Sequence, residues 1–225
     1  SARLLSFTHL NIYLTGEIAM TQNITERFHR AIRDGDTALF TRLADEGIDV
    51  NGGMGEFNMP PIMIACWGSR LDMVRSLVER GADVDYNELD EGGPLTFAAA
   101  TENLPLLNLL LALGAQVDGQ SPLGGETALH KAVFRMRCEA VRILIAHGAD
   151  VNQPTRSGGH TAMFDGGAKL RGERPLHLAA AYGAPAMIQL LLDAGADKTL
   201  GDDRGEPPIA WAGRHQRPGA VLALL

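Results

Sequence analysis

Two cysteines, three lysines and twelve aromatic residues are few for a chain of 225, and each shortage removes a class of protein. Cys66 and Cys138 are too few for a disulfide scaffold. With Lys131, Lys169 and Lys198 the only lysines, 17 of the 20 basic residues are arginine, a bias that fits a GC-rich bacterial source. Acidic residues outnumber basic ones, for a net charge of −7. A general phosphate-binding surface needs clustered cations, so no nucleic-acid partner is expected. Long hydrophobic runs are also missing. In residues 1–23 the Leu4-Leu5 pair is followed by Thr8, His9 and Asn11 before any signal-type or membrane-spanning stretch can build up, and no membrane role is expected. This leader stays unassigned. Leu10, Ile12 and Leu14 alternate as in a short strand, but Met20 could equally be an internal start.

What is abundant is repetition. "PPIMIACWGSRLDMVRSLVERGADVD" (60–85) aligns with "GPLTFAAATENLPLLNLLLALGAQVD" (93–118) at an offset of 33 residues. "TALHKAVFRMRCEAVRILIAHGADVN" (127–152) and "RPLHLAAAYGAPAMIQLLLDAGADKT" (174–199) follow the same template, and weaker copies occupy 27–51 and 206–225.

Local chemistry turns each copy into two helices. Pro61, Pro94, Pro175 and Pro208 read as first-turn residues, where proline loses no hydrogen bond and fixes φ. Val74, Leu77 and Val78, like Val141, Leu144 and Ile145, lie on one face of a second helix. Gly47, Gly81, Gly114, Gly148 and Gly195 follow these helices, where a left-handed residue is favoured. In Asp49-Val50-Asn51, Asp83-Val84-Asp85 and Asp150-Val151-Asn152, one apolar residue sits between polar ones, as a short half-buried hairpin requires.

These copies resemble the ankyrin repeat, whose signature is a 33-residue period carrying T-P-L-H-x-A. Arg174-Pro175-Leu176-His177-Leu178-Ala179 nearly reproduces it, and Thr127-Ala128-Leu129-His130-Lys131-Ala132 has alanine for proline. The resemblance implies an all-α solenoid of about six helix-turn-helix repeats with short β-hairpin loops. It covers residues 24–225 as one domain, with repeats near 24–51, 52–85, 86–118, 119–152, 153–199 and 200–225.

One interval breaks the period. Arg27, Pro61, Pro94, Ala128, Pro175 and Pro208 are separated by 34, 33, 34, 47 and 33 residues. The 14 extra residues lie between Asn152 and Pro175, so 153–173 is predicted to be an enlarged hairpin insertion. Closure entropy rises only slowly with loop length, which makes a loop the cheap place to add chain.

No reactive constellation accompanies the repeats. His29, His130 and His177 recur with the period and are expected to bond turn backbone rather than converge on a metal. His160 and Asp165 share the insertion, but neither a nucleophile nor a metal-ligand motif stands with them. The expectation is a non-enzyme with no metal and no cofactor. Cys66 takes the place of a motif alanine and should be buried. Two repeat steps of about 10 Å each would separate it from Cys138, too far for a disulfide. Free thiols fit a reducing cytoplasm.

By resemblance, such arrays bind proteins through hairpin tips and exposed inner-helix positions. The latter read Arg33-Asp34, Trp67-Gly68, Ala100-Thr101, Phe134-Arg135, Ala181-Tyr182 and Arg214-His215. The candidate partner-binding residues are therefore Trp67, Phe134, Arg135, Tyr182 and Arg214, with Phe57, Met59, Asp90, Glu91 and Arg204 at hairpin tips. The insertion adds Met163, Phe164 and Arg171. Aromatic and arginine side chains dominate interface hot spots, so the expected function is binding a protein partner through the concave face and the long 153–173 hairpin finger, as an inhibitor or immunity-type protein; a structural or self-associating scaffold is the alternative, and an enzyme with its site in the insertion a lesser one. The terminal "VLALL" (221–225) is an apolar end that further chain, the leader or a second copy of the chain would cover, so a homodimer is a further expectation.

Overall fold

The computed structural model describes residues 24–53, 58–87, 92–159 and 170–225. Two compact units divide the chain at Asp83/Val84. In the first, helix α1 (residues 24–34) is followed by α2 (Thr37–Asp45), α3 (Pro61–Trp67) and α4 (Leu71–Glu79). The second contains inner helices α5 (Pro94–Thr101), α7 (Ala128–Phe134), α9 (Pro175–Tyr182) and α11 (Pro208–Arg214). They alternate with outer helices α6 (Leu104–Ala112), α8 (Cys138–Ala146), α10 (Pro185–Asp193) and the short α12 (Gly219–Leu222).

Short helices such as these do not stand alone in water, so their boundaries need explicit devices. All four predicted prolines open a helix. Where proline is absent, Thr127 caps α7: its hydroxyl accepts the His130 N–H, and His130 Nδ1 accepts the Thr127 N–H. Asp36 and Asn103 cap α2 and α6 in the usual side-chain manner. At the other end, the five predicted glycines all adopt left-handed φ, between 82° and 92°.

Inner helices approach closely because their facing residues are small. Ala98, Ala99, Ala132, Ala179, Ala180 and Ala212 are all fully buried, and in the second unit α5 packs on α7, α7 on α9, and α9 on α11. Leu110, Leu144 and Leu191 fill the layer beneath the outer helices. Each such leucine contributes about 1.5–3 kcal/mol by leaving water. Cys66 is buried as expected, its thiol pushed up to about 12 by desolvation, and both cysteines are free. At the C-terminal end Val221 is buried, whereas Leu222 is 37% exposed.

A polar ladder locks successive repeats. In the first unit Asn51 donates to the Gly81 carbonyl (3.0 Å) and accepts the Asp83 N–H (2.9 Å). In the second, Asp85 accepts from Gln116 N–H and Asp118 from Asp150 N–H, at 2.8 and 3.0 Å. Asn152 then repeats the full pattern, donating to Gly195 and accepting from Asp197. The last step spans the insertion, so the stack keeps its register across the extra chain. Among the described residues the hairpins are turns joined by isolated backbone bonds rather than continuous strands.

Candidate functional site

Three inner helices of the second unit bring their C-terminal residues into one row. One position beyond the buried Val133, Phe134 emerges half-buried; Tyr182 does the same beyond Ala181. Their rings meet edge to face, with centroids 5.6 Å apart and planes at 83°. Tyr182 also meets His215, just past α11, at 4.8 Å and 69°. Such pairs add about 0.5–1.5 kcal/mol beyond burial, so the row is held by its own contacts while one side stays open. Arg135 lies above Phe134 with its guanidinium carbon 6.0 Å from the ring centroid, and Met136 beside it is 52% exposed.

The row is uncharged at neutral pH. Burial, then the charge of Glu173, raises the Tyr182 phenol. Burial lowers the His215 imidazole, and the neighbouring Arg214 and Arg217 add to that shift.

The root of the insertion is built into the array beside this row. Thr155 N–H donates to the Glu173 carbonyl and Gly158 N–H to the Leu170 carbonyl, and Leu170 N–H returns to Gly159, each at 2.9 Å. Leu170, Gly172 and Glu173 are buried. Gly172 has φ 69°, a left-handed conformation that favours glycine, and a Cβ there would stand 2.4 Å from a carboxylate oxygen of Asp203, which would have to move aside. The Glu173 carboxylate accepts the Thr155 hydroxyl (2.8 Å) and the Arg171 N–H (2.7 Å). From the preceding repeat, His130 Nε2–H donates to the Glu173 carbonyl (3.2 Å). Buried and serving as acceptor on Nδ1, His130 stays neutral: desolvation drives its pKa down to about 4.

Arg171 fastens the root to the final repeat. Its guanidinium lies 3.3 Å from Asp202 and 3.6 Å from Glu206, and 4.9 Å from the centroid of the Trp211 ring. Burial alone would raise the Asp202 carboxyl. The Glu206 and Arg204 N–H groups, the Trp211 indole N–H and the Arg171 charge outweigh that and lower it. Arg214 pairs with Glu206 and also faces Trp211, at 5.3 Å. His177 Nε2–H donates to the Glu206 carbonyl at 3.0 Å, and burial lowers this imidazole too. The histidines at 130 and 177 thus bond the backbone of the next repeat, as the sequence predicts. Glu126, one repeat earlier, is fully buried with Lys131 at 3.3 Å.

Of the residues singled out in the sequence, Phe134, Arg135 and Tyr182 come together in the row. Arg171 and Arg214 meet at Trp211, engaged with acids of the array. Arg204 is exposed, with its N–H on Asp202. In the first unit Trp67 is 53% exposed and Met59 half-buried. Phe57, Asp90, Glu91, Met163 and Phe164, like His160 and Asp165, lie outside the described residues. His215 stood among the exposed inner-helix positions in the sequence but was not chosen as a candidate; sharing the repeat position of Tyr182 was the signal for choosing it. Among the described residues no cluster of His, Cys, Asp and Glu could hold a metal ion, and no helix is long and apolar enough to cross a membrane.

Comparison with known proteins follows the same register. A family model described as ankyrin repeats (many copies) matches residues 62–111 and 95–145, and an ankyrin repeat model matches 171–203. The putative ankyrin repeat protein FPV031 of fowlpox virus is 34% identical over 148 residues, which is 64% of this chain and 39% of that protein. Human ankyrin repeat and SOCS box protein 6 is 30% identical over 152 residues, 68% of this chain and 33% of its own length. Human inversin is 25% identical over 199 residues, 88% of this chain and 18% of its own. The chain thus spans well under half the length of these curated relatives. A chain of the solved complex between the Bd0816 predatory endopeptidase of Bdellovibrio bacteriovorus and immunity protein Bd3460 superposes with a TM-score of 0.69 at 24% identity. The match covers 88% of this chain and 96% of that one, a likeness of fold.

Proposed function

The chain belongs to the ankyrin repeat family, and from that premise we propose that it is a protein-binding module rather than an enzyme, gripping its partner through the inner-helix edge of the second unit. The observation that carries this reading is the Phe134–Tyr182–His215 row: aromatic side chains from three successive repeats, aligned, mutually braced and open on one side. Rings braced in this way lose little rotamer freedom on binding, which lowers the entropic cost of association. The insertion root beside the row offers a second, pre-ordered contact. Its bonds to both neighbouring repeats favour recognition by a fixed edge rather than by a finger that folds over the partner.

The finer form of the reading is an inhibitor or immunity-type role. Its support is the fold likeness to a chain in an endopeptidase–immunity protein complex. The test is affinity capture with the wild-type chain and with a Phe134→Ala, Tyr182→Ala double variant, identifying retained proteins by mass and checking both baits by circular dichroism. A protein held by wild type and lost by the folded double variant is the expected outcome. Identical retention by both would sink the assignment of this face.

A further inference from the structure

Charge in the second unit is divided unevenly between two sets of connections. Turns from inner to outer helices hold Arg135, Arg137 and Arg217 against the single acid Glu102, whereas the loops after the outer helices are mixed and acid-rich, with Arg156, Arg171, Arg174, Lys198 and Arg204 outnumbered by acids such as Asp85, Asp118, Asp150 and Asp197. Asp85, Asp118, Asp150 and Asp197 belong to the stack: each accepts a backbone N–H of an adjoining repeat or of its own turn. Two of the arginines are fixed at helix ends. Arg137 Nε donates to the Ala100 carbonyl at 3.1 Å, and Arg217 donates to the Gly183 carbonyl, each at the C-terminal end of a preceding inner helix. Cations are favoured there because the last carbonyls of a helix carry partial negative charge. Arg135 stands exposed over Phe134. In a chain of net charge −7, the aromatic row is therefore set in a cationic margin.

Resting on the protein-binding reading above, we propose that this row takes an extended acidic segment of the partner, with carboxylates over Arg135 and Arg217 and an apolar side chain against the Phe134 and Tyr182 rings. Arg214 is not counted, since Glu206 already meets its charge. A nucleic acid is the less fitting ligand. It presents a phosphate at every step and needs a continuous run of cations, whereas Glu102, Glu139 and Glu206 interrupt this margin. Carboxylates spaced by apolar side chains match the alternation of cation and ring.

The probes are a short fluorescein-labelled peptide of repeating Glu-Phe, its Lys-Phe counterpart and a labelled oligothymidylate, followed by fluorescence anisotropy at low and at physiological salt. The Glu-Phe peptide should bind about tenfold more tightly than the Lys-Phe peptide, weaken as salt rises, and lose about tenfold in affinity on Arg135→Glu. That substitution is at an exposed turn, and an unchanged helical melt confirms that the fold survives it. Equal binding of the two peptides, binding of neither, or tighter binding of the oligothymidylate overturns the proposal. If a captured natural partner is lost with the ring variants yet indifferent to Arg135→Glu, the acidic class falls and protein binding through the row stands. If it is indifferent to the ring variants as well, both fall.

Discussion

Two junctions in the second unit do the same job with different lengths of chain. Between the repeats of α9 and α11, His177 reaches the Glu206 carbonyl 29 residues on, at 3.0 Å. Between those of α7 and α9, His130 makes the same bond to Glu173 across 43 residues, at 3.2 Å. Cross-loop backbone bonds also recur, from Arg156 to Gly124 and from Asp203 to Arg171, both at 2.8 Å. The insertion leaves the junction's geometry intact because it enters and leaves through residues that make the ordinary repeat contacts. What distinguishes the longer junction is its root. Its Gly172-Glu173 pair matches Gly205-Glu206 of the shorter one, both glycines being left-handed, but Glu173 is buried where Glu206 is half-buried, and Arg171 meets two acids of the next repeat. Extra chain is tolerated in a repeat array when its root, rather than its tip, obeys the repeat.

Removing the shared core should affect both junctions most. Leu144→Ala and Leu191→Ala, one under each, should each cost about 2–5 kcal/mol, measured by denaturant unfolding. Similar losses would mean that the insertion does not weaken stacking, while a much smaller loss for Leu144 would break the equivalence.

Acid should separate the junctions next. His130 has a folded pKa of about 4, below the value of 6.5 expected when unfolded. The unfolded state therefore binds the extra proton, and the stability this group contributes is complete above pH 6.5 and lost as pH falls towards 4. The loss is on the order of 3 kcal/mol. His177 is lowered in the same direction. His130→Gln should flatten the stability–pH curve over this window, and an unchanged curve would show that His130 does not carry the dependence.

Arg171→Ala should cost about 1–3 kcal/mol, because it leaves buried Asp202 short of its cation. Amide exchange should quicken at 170–173 and 202–206 more than at α5. Equal quickening everywhere would mean that the root is not fastened locally. The smallest effect should come from replacing residues 160–169 with two glycines. Loop length enters closure entropy logarithmically, so stability should change by less than about 1 kcal/mol. A larger loss by thermal melt would show that the tip packs on the array.

The repeat architecture was legible because its signals are local: prolines that open helices, left-handed glycines that end them, and a period against which 14 extra residues stand out. The site was legible only in part. Phe134 and Tyr182 could be placed at adjoining positions of the repeat, the first and the second of the exposed inner-helix pair, but their contact, and the joining of His215, depend on how far each inner helix is rotated against the next. Arg171 reads in sequence as a loop arginine, and its acids at 202 and 206 lie in another repeat. Asn152, likewise, reads as a polar hairpin residue and proves to be a two-way bridge to Gly195 and Asp197.

The sequence by itself determined where helices start and stop, which faces are buried and where the period is interrupted. These follow from backbone conformation and from apolar spacing within a few residues. Only the tertiary structure decided which rings form a row, which charges are neutralised and which turns carry an unshielded edge. Those outcomes rest on ångström-scale distances between groups some thirty to fifty residues apart, set by the packing of small alanines between inner helices.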